Sequence, residues 1–186
     1  GSLKAGRGLP RQVKARENRK AMPYVAVPSF MVALQRKPSF MRLALELLIL
    51  CSVRSQEVRL TTWAEFDLEG RLWTIPADHM KRSKAHMVPL SDAALAVLAK
   101  AAAFRLAGTD VVFPGVAGNP MSDMTLLKVL RDMSEPFHVH GFRSAFTDWA
   151  ANEGVADMPW WRRRWRTRRP TRCRPPIAAR RISARR

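Results

Sequence analysis

The sequence predicts a mainly α-helical domain with one small antiparallel β-sheet, an α+β fold in which helices dominate. Three observations carry this expectation. Residues 41–53 are nearly all apolar, with Arg42 and Glu46 the only charges, and the run is too long for a buried strand. Residues 63–90 hold short alternating segments separated by turn residues. Beyond them, apolar residues return at helical spacing three times, over roughly 92–104, 122–133 and 140–150.

Taken in order, residues 1–21 are a basic linker with little to bury. Residues 22–29 read as extended, because Pro23 and Pro28 each bias the preceding residue away from helix. Ser29 can cap a short helix over Phe30 to Gln35, and Pro38-Ser39 starts the next one, the apolar run. That run ends in Arg54-Ser-Gln-Glu57. A charge at the end of a buried helix is costly unless it is paired or aimed into a site. Glu57, three residues on, can orient Arg54; a plain ion pair at a helix end is the simpler alternative. Trp63 to Asp67 leads to a turn at Glu69-Gly70, and Leu72-Trp-Thr-Ile75 alternates as a strand does. His86-Met-Val-Pro-Leu90 is a second strand, ended near its proline. Between the two lies the basic hairpin loop Met80-Lys81-Arg82-Ser83-Lys84-Ala85. Ser91-Asp92 caps a helix running to about Phe104, with Leu95 and Leu98 inward. A brief strand at Val111 to Phe113 ends in Pro-Gly, and Ser122 caps a helix whose Leu126, Leu130 and Met133 share a face.

The last helix begins near His140, in His138-Val-His-Gly-Phe-Arg143-Ser-Ala-Phe-Thr-Asp-Trp149. Phe142, Phe146 and Trp149 fall at i, i+4 and i+7, so three rings line one side and are expected to bury. His140 and Arg143 are three apart and share a different face. They stand at the first turn, where unpaired backbone N–H groups favour an anion such as a phosphate. The alternative is an ordinary solvated His/Arg pair.

Charge separates the chain into three. Residues 1–20 hold seven Lys/Arg against one acid, residues 21–158 hold fourteen Lys/Arg against fourteen Asp/Glu, and residues 159–186 hold twelve Arg and no acid. A neutral middle between two basic arms suits a polyanionic partner, with a solvated tail as the plain alternative. No uncharged apolar run is long enough to span a bilayer, so no membrane partner is expected. No secretory leader is visible at the basic N-terminus. Cys51 and Cys173 lie far apart and give neither a disulfide framework nor a metal spacing, which points to a reducing cytoplasm. A metal site from His138 and His140 with His79 or His86 lacks supporting Cys or carboxylate spacing.

Arg54 after a buried helix, Lys81 in a β-hairpin, and His140-x-x-Arg143 at a helix start follow one another in the chain. With Trp73-Thr-Ile-Pro, Val88-Pro-Leu-Ser91 and Val112-Phe113-Pro between them, residues 22–152 resemble the catalytic domain of tyrosine recombinases, the phage-type integrases. The resemblance implies site-specific recombination or integration of double-stranded DNA. Arg54 and Arg143 would clamp the scissile phosphate, and His140 would hold it or assist proton transfer. Lys81 would protonate the departing 5′-oxygen, and Glu57 would orient Arg54. Arg82 and Lys84 would contact DNA beside them. It also implies no metal and no small-molecule cofactor, self-association on DNA, and a bacterial, nucleoid-associated setting. Residues 1–21 would then be the remnant of a preceding DNA-binding region, 22–157 the catalytic-like domain, and 158–186 an Arg/Pro/Trp-rich tail expected to be disordered.

The family's nucleophile, a tyrosine downstream of the His-x-x-Arg motif, has no counterpart here. The sole tyrosine is Tyr24, far upstream and flanked by proline. The abrupt change to Arg, Pro and Trp after Asp157 has the composition of a shifted reading frame; an arm gripping DNA by charge and stacking is the second reading. Two functions follow: a recombinase domain unable to cleave by itself, or a non-catalytic DNA-binding protein that uses its arms.

Overall fold

A computed structural model describes residues 20–79 and 85–154. The chain divides into two units, Gly1–Trp149 and Ala150–Arg186. Of the second, residues 150–154 are described, and they finish the last helix and its turn.

The apolar run forms the central helix. α1 spans Val27–Gln35 and α2 spans Phe40–Cys51, whose Leu43, Ala44, Leu45, Leu47 and Leu48 are all buried. Ser39 caps α2 by accepting from the Arg42 N–H at 3.3 Å. Such a helix, apolar on nearly every side, must be surrounded. α2 duly touches α1, α3 (Ser55–Arg59), α4 (Asp92–Ala103) and α5 (Thr125–Asp132). Its one buried charge, Glu46, accepts a hydrogen bond from Gln35 Nε2 of α1, as a desolvated carboxylate requires.

The sheet has three antiparallel strands in sequence order: β1 (Phe66–Asp67), β2 (Leu72–Ile75) and β3 (His86–Pro89). Trp73 opposes Val88 across β2 and β3, and both are fully buried. The carboxylate of Glu65, in the 3-10 turn Trp63–Glu65, binds this sheet to the chain before it. It accepts from Thr61 Oγ1 at 3.0 Å, the Thr62 N–H at 2.9 Å and Trp73 Nε1 at 2.9 Å. His79 Nδ1 stands 3.6 Å from the same carboxylate, just before the hairpin loop. Residues 80–84 of that loop, with Lys81, Arg82 and Lys84, lie outside the described residues, as do residues 1–19 and 155–186.

The mainly helical fold with one small antiparallel sheet is therefore as expected, with local differences. Residues 24–29 are not extended. Tyr24–Ala26 form a 3-10 turn, and α1 begins at Val27 with Pro28 in its first turn, where a missing N–H costs nothing. The brief strand near Val111 is a single bridge to Thr62. Ser122 bonds Thr125 Oγ1 in a turn ahead of α5 and does not cap it.

The last helix, α6 (Gly141–Asn152), begins where expected, but its rings do not all bury. Phe142 is buried and meets Phe30 of α1 with centroids 5.3 Å apart. Phe146 is half-buried and Trp149 is 37% exposed, and these two rings pack on each other at 5.5 Å. Of the three rings only Phe142 is buried, so the core takes the start of the stripe and leaves its end at the rim. Phe142→Ala should lower the unfolding free energy by about 3–5 kcal/mol in denaturant titration, the cost of truncating a well-packed ring.

Candidate phosphate-binding site

Arg54 is placed by the junction of α2 and α3. α2 ends at Cys51, and the chain turns at Ser52, with φ 50° and ψ 39°, a left-handed conformation. The Ser52 N–H returns to the Ile49 carbonyl at 3.2 Å and the Val53 N–H to the Leu48 carbonyl at 3.3 Å. Val53 and Leu48 are both buried. These paired return bonds make a Schellman turn, which satisfies the last carbonyls of the helix. Two residues later Arg54 starts α3 in an extended conformation.

Glu57 then fixes Arg54 at both ends. One carboxylate oxygen accepts from the Arg54 backbone N–H at 2.7 Å and the other from Arg54 Nη1 at 2.7 Å. The Glu57 side chain is 2% exposed and that of Arg54 40% exposed. A buried carboxylate thus holds one end of a guanidinium whose side chain is still partly exposed.

Arg143 reaches the same junction from the other end of the sequence. Its Nη1 donates to the Ser52 carbonyl at 2.7 Å. This bond brings the guanidinium to the loop that carries Arg54. The start of α6 is further held by the His138 N–H, which donates to the Lys20 carbonyl at 3.2 Å. Gly141 lies so close to residues 20 and 21 that a Cβ there would fall 2.8 Å from Ala21 Cα. Only glycine fits that crossing. His140 is exposed in the turn ahead of α6.

One part of the expected anion site is corrected. The first N–H groups of α6 are not free for an anion, because the preceding turn uses them. Gly141 donates to the His138 carbonyl at 2.8 Å, Phe142 to Val139 at 3.3 Å and Arg143 to His140 at 3.2 Å. Attraction at this corner rests on the guanidinium groups.

Arg54, Glu57 and Arg143 are therefore brought to one junction, with His140 in the turn that leads into Arg143's helix. Lys81, Arg82 and Lys84 fall outside the described residues. None of the four site residues lines the groove of about 570 Å³ beside Phe40, Met41, Val116 and Met121. Among the described residues no group of three or more His, Cys, Asp or Glu is arranged to hold a metal ion, and no helix is long and apolar enough to cross a membrane. Sequence reasoning missed the Ser52 turn and its carbonyl, since serine at that position carries no glycine signal. The crossing at Gly141 was missed too, although the glycine between His140 and Phe142 is a signal that could have found it.

Residues 22–158 match the phage integrase family, and the chain belongs to it. It is 35% identical over 145 residues to the prophage integrase IntZ of Escherichia coli K12, covering 75% of this chain and 35% of that one. It is 33% identical over 145 residues to the integrase of Enterobacteria phage P4, covering 67% and 33%. The chain thus spans about a third of the length of these curated relatives. Among solved structures, the Tn1549 transposon integrase, in complex with a circular intermediate DNA, superposes with a TM-score of 0.60 at 16% identity, covering 74% of this chain and 55% of that one. XerA recombinase gives 0.59 at 16%, covering 73% and 53%. At that identity the likeness is one of fold: the catalytic domain of tyrosine recombinases.

Glu57→Ala should cost about 1–3 kcal/mol, the sum of a lost N-terminal cap and a partly solvent-screened charged hydrogen bond. Glu57→Gln, which still accepts from the Arg54 N–H, should cost less than Glu57→Ala in the same denaturation experiment.

Proposed function

We propose that this chain is the catalytic-domain portion of a site-specific recombinase that grips a DNA phosphate with Arg54 and Arg143. The observation that carries the reading is the hydrogen bond that docks Arg143 against the loop presenting Arg54. In phosphoryl transfer the pentacoordinate transition state gathers negative charge on its non-bridging oxygens, and guanidinium groups already in place stabilise it without reorganising. Two arginines from distant parts of a sequence gain this power only if the fold holds them together. Glu57 orients Arg54 through its two short bonds. His140 holds the phosphate or assists proton transfer, and Lys81 serves as general acid toward the leaving 5′-oxygen. Arg82 and Lys84 meet neighbouring phosphates.

The partner is double-stranded DNA, on which copies of the chain associate. The domain proper is 22–157. The two basic arms, 1–21 and 158–186, supply most of the long-range attraction, because residues 21–158 carry no net charge.

A second reading, DNA binding without strand cleavage, is favoured by one specific observation. Within these 186 residues the sole tyrosine is Tyr24, in a 3-10 turn ahead of α1 and on no helix downstream of Arg143. These residues therefore supply the clamp with no tyrosyl attacking group downstream of Arg143.

Two outcomes test these readings. Arg54→Ala and Arg143→Ala should each weaken duplex binding and lower the salt slope by about 1, whereas deleting residues 159–186 should flatten it far more. Unchanged affinity in both arginine variants would remove the clamp. On a denaturing gel after incubation with labelled nicked duplex, no covalent adduct should appear. A shifted band lost in Tyr24→Phe would make Tyr24 the nucleophile; a band that survives it would reveal another.

A further inference from the structure

The junction between α2 and α3 contains a residue that spacing and charge did not single out. Ser52 occupies the left-handed position of the Schellman turn, a conformation that glycine and asparagine adopt readily and other residues adopt at a cost. It is 3% exposed, and its hydroxyl has no hydrogen-bond partner among the described residues. A buried serine whose side chain satisfies nothing, held in a disfavoured backbone conformation, needs another reason for its geometry. Its carbonyl supplies one, because that oxygen receives Arg143 Nη1 at 2.7 Å.

We infer that Ser52 is a positioning residue for the arginine pair, and that it acts through its backbone. The left-handed turn does two things at once. It points the Ser52 carbonyl at α6, so that Arg143 has an acceptor to dock on. It also reverses the chain after Cys51, so that Arg54 emerges two residues later in the extended conformation that Glu57 clamps. The separation of the two guanidinium groups is thereby set by one turn, tied back by the Val53 N–H on the Leu48 carbonyl, both residues being buried. An ordinary helix end at Ser52 would send the carbonyl along the α2 axis and leave Arg143 without this partner. The orphaned hydroxyl is incidental, since the carbonyl and the φ/ψ values do the positioning.

The inference rests on the phosphate reading of Arg54 and Arg143, and one experiment separates the two. The full chain is titrated with inorganic phosphate, and binding is followed at the Arg54 and Arg143 Nε–Hε resonances, which report the site apart from the arginine-rich tail. Four proteins form a cycle: wild type, Ser52→Val, Arg143→Ala and the double variant. A β-branched side chain resists the left-handed region, so Ser52→Val should weaken phosphate binding at Arg54 by on the order of five- to tenfold, a coupling expected within one hydrogen-bond network. In the Arg143→Ala background the same change should cost clearly less, because only the part of the effect that runs directly through Arg54 remains. Equal losses in both backgrounds would overturn the inference and leave Ser52 a purely structural residue. Ser52→Ala keeps the Cβ and deletes the hydroxyl, and should bind phosphate as wild type does; a loss there would assign the role to the hydroxyl. If Ser52→Val fails to fold, Ser52→Thr, which is β-branched but keeps the hydroxyl, takes its place in the cycle with the same expected and overturning results. A wild-type chain whose Arg54 and Arg143 resonances ignore phosphate would defeat the phosphate reading itself, whatever Ser52 does.

Discussion

The hydrogen bond from Arg143 to the Ser52 carbonyl joins residues 91 positions apart, and the candidate site depends on it. The start of α6 is also held by Phe142 against Phe30, the His138 N–H on the Lys20 carbonyl, and Gly141 beneath Ala21. These contacts fix where the helix starts and leave the long, rotamer-rich Arg143 side chain to be ordered separately. Holding such a side chain in one geometry costs conformational entropy, so a cation meant to meet a charge in place needs a rigid acceptor. The Ser52 carbonyl is rigid because its turn is bonded back to α2 and buried. The order of causes runs from an apolar helix that must be surrounded, to the way that helix ends, to the place where a second arginine can rest.

Charge is divided differently from geometry. The domain itself is neutral, with the excess cations in the two terminal arms. Long-range attraction to a polyanion scales with total charge and is screened by salt, whereas local stabilisation of a phosphate depends on a few preorganised donors. A chain built this way can raise its affinity through the arms without altering the chemistry at the α2–α3 junction. The exposed flank of α6 at Trp149 is a separate feature: the ring is more than a third exposed and packs on Phe146 of the same helix.

Much of this was legible from residue spacing. The apolar run over 41–53 became α2, alternation over 72–75 and 86–89 became β2 and β3, and Ser39 and Ser91 cap helices as their positions suggested. Arg54 beside Glu57 could be read from an i, i+3 pair at the end of a buried helix. What spacing could not reveal was tertiary. The left-handed turn at Ser52 lacks the glycine that would announce it, and the core rather than local preference imposes it. The first N–H groups of α6 are consumed by a turn at 138–140 whose residues carry no strong turn signature. The ring stripe on α6 was read correctly as a face, but a face can be half on the core and half off it, and only packing decides where it stops. Val27 became helical ahead of Pro28 because a first helical turn tolerates what a helix interior does not.

The central claim is that Arg54 and Arg143 share one anion. The most direct measurement is a crystal of the chain soaked in tungstate, whose tungsten atom is located by its anomalous scattering. One tungstate within hydrogen-bond reach of both guanidinium groups, beside His140, is the predicted result. Separate anions on the two arginines, or none on either, would contradict it.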